Sequence, residues 1–195
     1  MGVVEGGRIP YQPWAAAQKQ ENSENWVTAD PVVKCYMPGV PRATYMPFPF
    51  QIVQPPDHVL ITYVFASSSR IIYMSQPDFE SPFDTWMGHS RGHWEGDTLV
   101  VDVTAQVEDT WFDSAGNFHS DALHVIERYT PISPNALRYE VVIEDPNVFT
   151  RPWTMSMPLY RRVDENARIL EFRCVEFVED LIYGHLRKQP EDSSR

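Results

Sequence analysis

The chain reads as a mainly β protein: one antiparallel β-barrel behind an extended, proline-rich N-terminal arm and ahead of a short C-terminal helix. Three features predict this. Short β-rich runs follow one another from Gln51 onward, the segments between them are turn chemistry, and no long helical period intervenes. The whole chain, residues 1–195, is expected to be a single domain, with the arm over 1–50, the barrel over 51–175, the helix over 176–188 and a disordered tail over 189–195.

The arm comes first. Nine of the 17 prolines fall in the first 56 residues. Each removes a backbone donor and fixes φ, so regular sheet is excluded over much of this stretch. A helix is expected at Pro13–Glu21, with proline in its first turn and three consecutive alanines. The run PGVPRATYMPFPFQ then reads as an extended, aromatic segment lying across a preformed surface.

Strands are expected near Gln51–Gln54, His58–Phe65, Arg70–Ser75, Thr98–Val103, Ala122–Thr130, Leu137–Glu144, Thr154–Tyr160 and Arg168–Val175. PPD, SSS, EGD, SAGN, SPN and DEN separate them. Glu95–Asp97 reads as a tight hairpin. The last helix, Glu176–Lys188, has Phe177, Val178, Leu181 and Ile182 on one face, with acids early and bases late as the helix dipole favours.

Composition narrows function by exclusion. Charge is −11 and the pI is near 4.9, so the surface repels phosphate backbones and anionic lipid; neither nucleic acid nor membrane is an expected partner. No apolar run approaches the ~20 residues of a membrane helix, and the N-terminus lacks a leader pattern. A cytoplasmic protein is expected, or a periplasmic one whose leader has been removed. Cys35 and Cys174 form no CxxC motif. They are expected to be buried thiols in the cytosol, with pairing as the alternative for an exported chain.

Four of six histidines and three of six tryptophans lie between Asp84 and Arg128. Imidazole moves protons near neutral pH and indole builds water-excluding walls, so a pocket with chemistry is expected there. His124 and His119 are the expected general acid/base, His89 supports them, and Glu127 or Asp113 orients an imidazole. Strand parity puts His124, Ile126 and Arg128 on one face and Leu123, Val125, Glu127 and Tyr129 on the other. The plain alternative has His124 and Arg128 in solvent and Glu127 paired with an arginine. Arg151 shares parity with Trp153 and Met155 and is a candidate carboxylate grip. Tyr45, Tyr63, Tyr73, Trp86 and Trp111 are candidates for an aromatic wall, with core packing as the alternative.

His89 and His93 are four apart, yet Gly88, Gly92 and Gly96 oppose a helix there, and no HExxH occurs, so no metal is expected from the spacing, convergence of the four histidines in space being the minority alternative. GxSxG, P-loop and GxGxxG motifs are absent, which leaves acid–base chemistry without a cofactor. The expected function is a cofactor-independent lyase, a decarboxylase or related C–C/C–O lyase acting on a small aromatic, lignin-type or phenolic acid. An isomerase or cyclase on a polycyclic substrate uses the same parts. A non-catalytic barrel holding haem or an apolar ligand is the alternative from another class. A homodimer is compatible with all three.

The strings GGRIPYQPWA, DPVVKCYMPGVPR, PFPFQIVQ, WMGHSRGHWEGDTLVVDV, FHSDALHVIERY and EDPNVFTRPW resemble a large family of bacterial proteins. The likeness runs from about Gly6 to Cys174 and implies kinship without fixing a reaction. Many relatives look exported. That family commonly ends its last strand with Cys-His-Glu, whereas this chain has Cys174, Val175 and Glu176, so no histidine role carries over there. In architecture the chain is also similar to the calycin group of lipocalin-like barrels, whose phenolic acid decarboxylases use Tyr, Arg and Glu without a cofactor. That comparison is fold-level analogy.

Overall fold

A computed structural model describes residues 2–75 and 80–186. The elements, in chain order, are β1 (Val3–Val4), α1 (Pro13–Glu24), α2 (Trp26–Ala29), α3 (Arg42–Tyr45), β2 (Phe50–Val53), β3 (His58–Tyr63), β4 (Ser69–Tyr73), β5 (His89–Glu95), β6 (Thr98–Thr104), β7 (His124–Ser133), β8 (Ala136–Glu144), β9 (Trp153–Tyr160) and α4 (Val178–Tyr183). The nine strands make one sheet in the order β1-β9-β8-β7-β6-β5-β4-β3-β2. Every neighbouring pair is antiparallel except β4–β5, which is parallel and only two residue pairs long.

The expected closed barrel is not found. β1 and β2 are the two edges, and no ladder joins them among the described residues. One face of the sheet carries the core: Val59, Ile61, Ile72, Val101, Val103, Val125, Tyr139, Val141, Ile143 and Met155 are all buried. The arm covers that face instead of a second wall of strands. Ala15 of α1, Val40, and Ala43 of α3 belong to the same apolar cluster. Small side chains suit the role, because they let a proline-rich backbone approach the sheet closely.

Two polar devices pin the arm. Gln106 clamps Val40 from both sides, its Oε1 accepting from the backbone N–H at 2.8 Å and its Nε2 donating to the carbonyl at 3.0 Å. Arg42 and Asp30, both buried, form a two-bond ion pair at 2.8 and 2.7 Å, to which Ser114 adds a hydroxyl. A paired, hydrogen-bonded buried charge is tolerated where a lone one is not.

Several expectations need correction. β5 was not expected, because three glycines punctuate the segment. Gly92 sits in the strand because Ile72 and Met74 pack over it: a Cβ there would lie 2.6 Å from Ile72 Cγ2 and 2.8 Å from Met74 Sδ. The glycine marks close packing, not a break. No strand forms over Arg168–Val175. That segment is held by Phe172 against Phe48 and Phe65, and by a Cys35–Cys174 disulfide that replaces the expected free thiols. α4 is shorter than the expected Glu176–Lys188 helix, and its Leu181 and Ile182 are exposed where a core face was expected. Arg187, Lys188 and the 189–195 tail lie outside the described residues. The arm is less extended than expected, since α3 forms inside PGVPRATYMPFPFQ. The Glu95–Asp97 hairpin is present, with Gly96 and Asp97 joining β5 to β6.

Candidate active site

The short β4–β5 ladder creates the site. Only Ile72↔Ser90 and Tyr73↔Arg91 are in register, so the start of β4 parts from the chain leading into β5. Between them lies a cleft of about 430 Å³, lined by Ser69–Ile71 and Tyr73 on one side and Thr85–Ser90 on the other, with Met37 from the arm. The Thr85–Gly88 turn forms its far wall. Thr85 N–H bonds to the Ala105 carbonyl at 2.9 Å, and Gly88 takes a left-handed φ of 65°. Only glycine fits there, since a Cβ would stand 2.8 Å from Val103 Cγ1 and 2.9 Å from the Thr104 carbonyl oxygen.

Two aromatic stacks border the cleft. Tyr36 lies on Trp86 with ring centroids 4.9 Å apart, and Tyr73 lies on His89 at 5.3 Å. Burial, reinforced by the nearby Arg91 charge, lowers the His89 pKa below its ordinary value of 6.5. Both causes disfavour the imidazolium and so favour the neutral ring. Of the expected site residues, His89, Tyr73 and Trp86 line this cleft.

Beneath it lies a closed polar cluster. Arg70 donates from Nη1 and Nη2 to the two carboxylate oxygens of Glu127, at 2.6 and 3.0 Å. Its remaining N–H groups reach Tyr63 (3.1 Å), Ser90 (3.3 Å) and Tyr129 (2.9 Å). All five guanidinium donors thus have acceptors. Glu127 also accepts from the Tyr129 and Tyr139 hydroxyls at 2.9 and 2.5 Å. Burial drives the phenol pKa values of Tyr63, Tyr129 and Tyr139 upward, so each stays a neutral donor. Glu127 is thus paired with an arginine, the plain alternative, and does not orient an imidazole. Arg70, Tyr129 and Tyr139 were not singled out in the sequence. Parity along β7 put Glu127 and Tyr129 on one face without saying which way that face looks, and nothing in the sequence pointed to Arg70.

His124 lies on the face of the sheet opposite the Arg70–Glu127 cluster, the face that also carries Arg91. Its Nε2 is 2.7 Å from Asp102 and its Nδ1 3.1 Å from Glu144, while Arg91 donates to Asp102 at 2.5 Å. This row crosses four adjacent strands, β5 to β8. The hydrogen bond to Asp102 raises the His124 pKa against partial burial, helped by Glu144. The same bond, with Arg91, brings the Asp102 pKa down to about 2. A ring whose two nitrogens both face carboxylates favours the imidazolium, which has no lone pair to act as a base. The structure places His124, expected as a general acid/base, in a cross-strand ion-pair row and outside the lining of the cleft.

The other expected residues are also apart from the cleft. His119 is buried, with Nδ1 donating to the Ser120 carbonyl at 2.8 Å and Nε2 accepting from Thr110 at 2.6 Å; burial lowers its pKa. It props the Gln106 clamp from 3.3 Å. Asp113 caps a turn through Ala115 N–H and Asn117. Tyr45 donates to the Phe112 carbonyl at 2.7 Å, Trp111 packs against the core, and Tyr63 belongs to the Arg70 cluster. Arg151 is exposed and donates only to the neighbouring Pro152 carbonyl. Among the described residues no three His, Cys, Asp or Glu side chains form a metal cradle. No helix among them is long and apolar enough to cross a membrane.

A second, smaller cleft of about 250 Å³ opens at the other end of the β4–β5 ladder, with His58, Met74, His93 and Trp94 on its walls. Comparisons with protein-family models, with curated proteins and with solved structures find no match for this chain.

Proposed function

We propose that this protein binds a small aromatic molecule, lignin-type or phenolic, in the β4 cleft and acts on it as a cofactor-independent acid–base lyase. The observation that carries the reading is the His89 imidazole, stacked on Tyr73 inside a cleft walled by Trp86 and Met37. A flat ring fits between such walls, and the group able to take its proton is already there. His89 removes a phenolic or benzylic proton, and the leaving group departs with its bonding pair from the conjugated intermediate. The Arg91 charge that lowers the His89 pKa also favours the anion forming beside it. Decarboxylation is the less supported version, because Arg70 has no donor to spare for a carboxylate and Arg151 lies outside. An isomerase or cyclase would employ the same base.

A carrier that holds an aromatic guest without turnover is the second reading. It is favoured by the self-satisfied Arg70–Glu127 cluster, which offers a ligand no open charge. The consecutive antiparallel meander from β5 to β9 supports a calycin-like connectivity, without the closed barrel of that group. The bacterial family suggested by the motif strings is part of the same proposal. The disulfide supports an oxidising compartment such as the periplasm.

The test is a screen of hydroxycinnamates and aryl ethers, followed by tryptophan emission for binding and by CO2 or phenol release for turnover. His89→Gln should cut turnover by about 100-fold or more, the range general acid–base groups supply, with binding nearly unchanged. Binding without turnover in the native chain would establish the carrier instead. Turnover that survives His89→Gln intact would end the lyase assignment at this cleft.

A further inference from the structure

We propose that the Cys35–Cys174 disulfide is a redox latch that holds the Tyr36–Trp86 rim at the β4 cleft and releases it on reduction. The proposal regulates the cleft described above and rests on its being the ligand site.

Position carries the proposal. Cys35 directly precedes Tyr36, whose ring lies 4.9 Å from Trp86, and Met37, which lines the cleft. Cys35 itself, at a φ of 64°, is the left-handed cap of the short 3-10 turn Pro31–Lys34, where the Cys35 and Tyr36 N–H groups bond back to the Val32 and Pro31 carbonyls at 3.1 Å. Tyr36 is 50% exposed and Met37 38%, so core burial does little to hold either. The next firm anchor is Val40 in the Gln106 clamp. The exposed part of the rim, Tyr36 and Met37, is therefore a short span between the covalently stapled turn and the buried run that begins at Pro38.

The other end of the staple is equally local. Cys174 is exposed, in a segment that joins no strand ladder. Noncovalent attachment of that segment to the rest includes Phe172 on Phe48 and Phe65, and the Phe177 N–H to the Val33 carbonyl at 2.7 Å. Opening the bond frees both ends and leaves the sheet pairings untouched.

The chemistry is thiol–disulfide exchange with a dithiol. One thiolate of the reductant attacks the accessible Sγ of Cys174, and Cys35 leaves as thiolate with the bonding pair. The second thiol of the reductant then attacks its own sulfur in the mixed disulfide and expels Cys174. Two protein thiols form and one dithiol becomes a disulfide, so two electrons and two protons balance.

The experiment uses the intact protein with and without dithiothreitol, with thiol titration to confirm that two sulfhydryls appear. Reduction should raise amide hydrogen exchange across residues 33–37 about tenfold or more and should change tryptophan emission, the change disappearing in Trp86→Phe. The Cys35→Ser/Cys174→Ser double variant should reproduce both effects without reductant, circular dichroism reporting that its sheet is retained. Affinity for 4-hydroxycinnamate should fall by about threefold to tenfold, the worth of a lost aromatic stack. Two titratable thiols with unchanged exchange and emission would overturn the latch. If 4-hydroxycinnamate fails to bind the oxidised protein, the cleft assignment fails, while exchange and emission in the ligand-free protein still decide the latch.

Discussion

Glu127 and Arg70 meet through two parallel hydrogen bonds of 2.6 and 3.0 Å with both side chains essentially out of solvent. The pair links the centre of β7 to β4 across the intervening strands, and Ser90 with three tyrosines closes the remaining valences. Such a cluster stabilises only while it is complete, since each member left alone is a buried polar group without a partner.

Removing one partner should therefore be severe. Glu127→Ala is expected to lower unfolding stability by about 3–5 kcal/mol, a large share of the ~5–15 kcal/mol typical of a domain. Arg70→Met with Glu127→Leu should cost less than either single change, because no charge is stranded. Urea unfolding of the three variants checks this. A double variant no better than the singles would mean that packing, not charge, dominates.

The His124 row gives a pH dependence with a defined sign. His124 has a folded pKa above its ordinary 6.5, so its contribution is complete below 6.5 and lost as pH rises through the raised value. Asp102 has a folded pKa of about 2 against an ordinary 3.8, so its contribution is present above 3.8 and lost as pH falls toward 2. The row is thus strongest between about pH 4 and 6.5. His124→Gln should flatten the alkaline side of a Tm-against-pH curve while costing roughly 1 kcal/mol or less at pH 6, as exposed cross-strand pairs do. Turnover should survive this substitution. An unchanged alkaline limb would remove His124 as its source.

His119 should behave as a structural group. His119→Ala leaves Thr110 and Gln106 without their shared acceptor and opens space beside Phe112, 5.3 Å away between ring centroids. A loss of about 2–4 kcal/mol is expected from the cavity and the lost hydrogen bonds together. Loosening of the Val40 clamp should appear as faster amide exchange at Val40. Protection at Val40 equal to the native level would detach His119 from the arm.

Gly92→Ala tests why β5 tolerates a glycine. The added methyl meets Ile72 and Met74 at 2.6 and 2.8 Å, so overpacking of about 1–3 kcal/mol is expected despite the gain in strand propensity. Met74→Ala in the same chain should recover part of that loss. Calorimetry of the single and double variants decides it.

Local pattern made much of the scaffold legible. Alternation along β7 separated His124, Ile126 and Arg128 from Val125, Glu127 and Tyr129, because a strand's two faces follow from its backbone alone, while packing decided that the second set is the buried one. Turn chemistry located the β5–β6 hairpin for the same reason. β5 itself was hidden: Gly92 weakens the strand signal, and its cause is a neighbour on another strand. Likewise, the sequence raised His124 as a catalyst because imidazole invites that reading, and only pairing of β6, β7 and β8 brought carboxylates to both nitrogens.

By itself the sequence determined a mainly β fold, a proline-limited arm, an acidic balance of charge and the segment where histidines and tryptophans crowd. Each of these depends on the chain's own neighbours or on its composition. Tertiary structure alone decided that the sheet stays open with the arm filling its face, that Cys35 meets Cys174 across 139 residues, and that His89, not His119 or His124, borders a cleft. Those outcomes depend on which distant segments come together. Contacts of that range are set by packing of the whole core, and no local period or spacing encodes them.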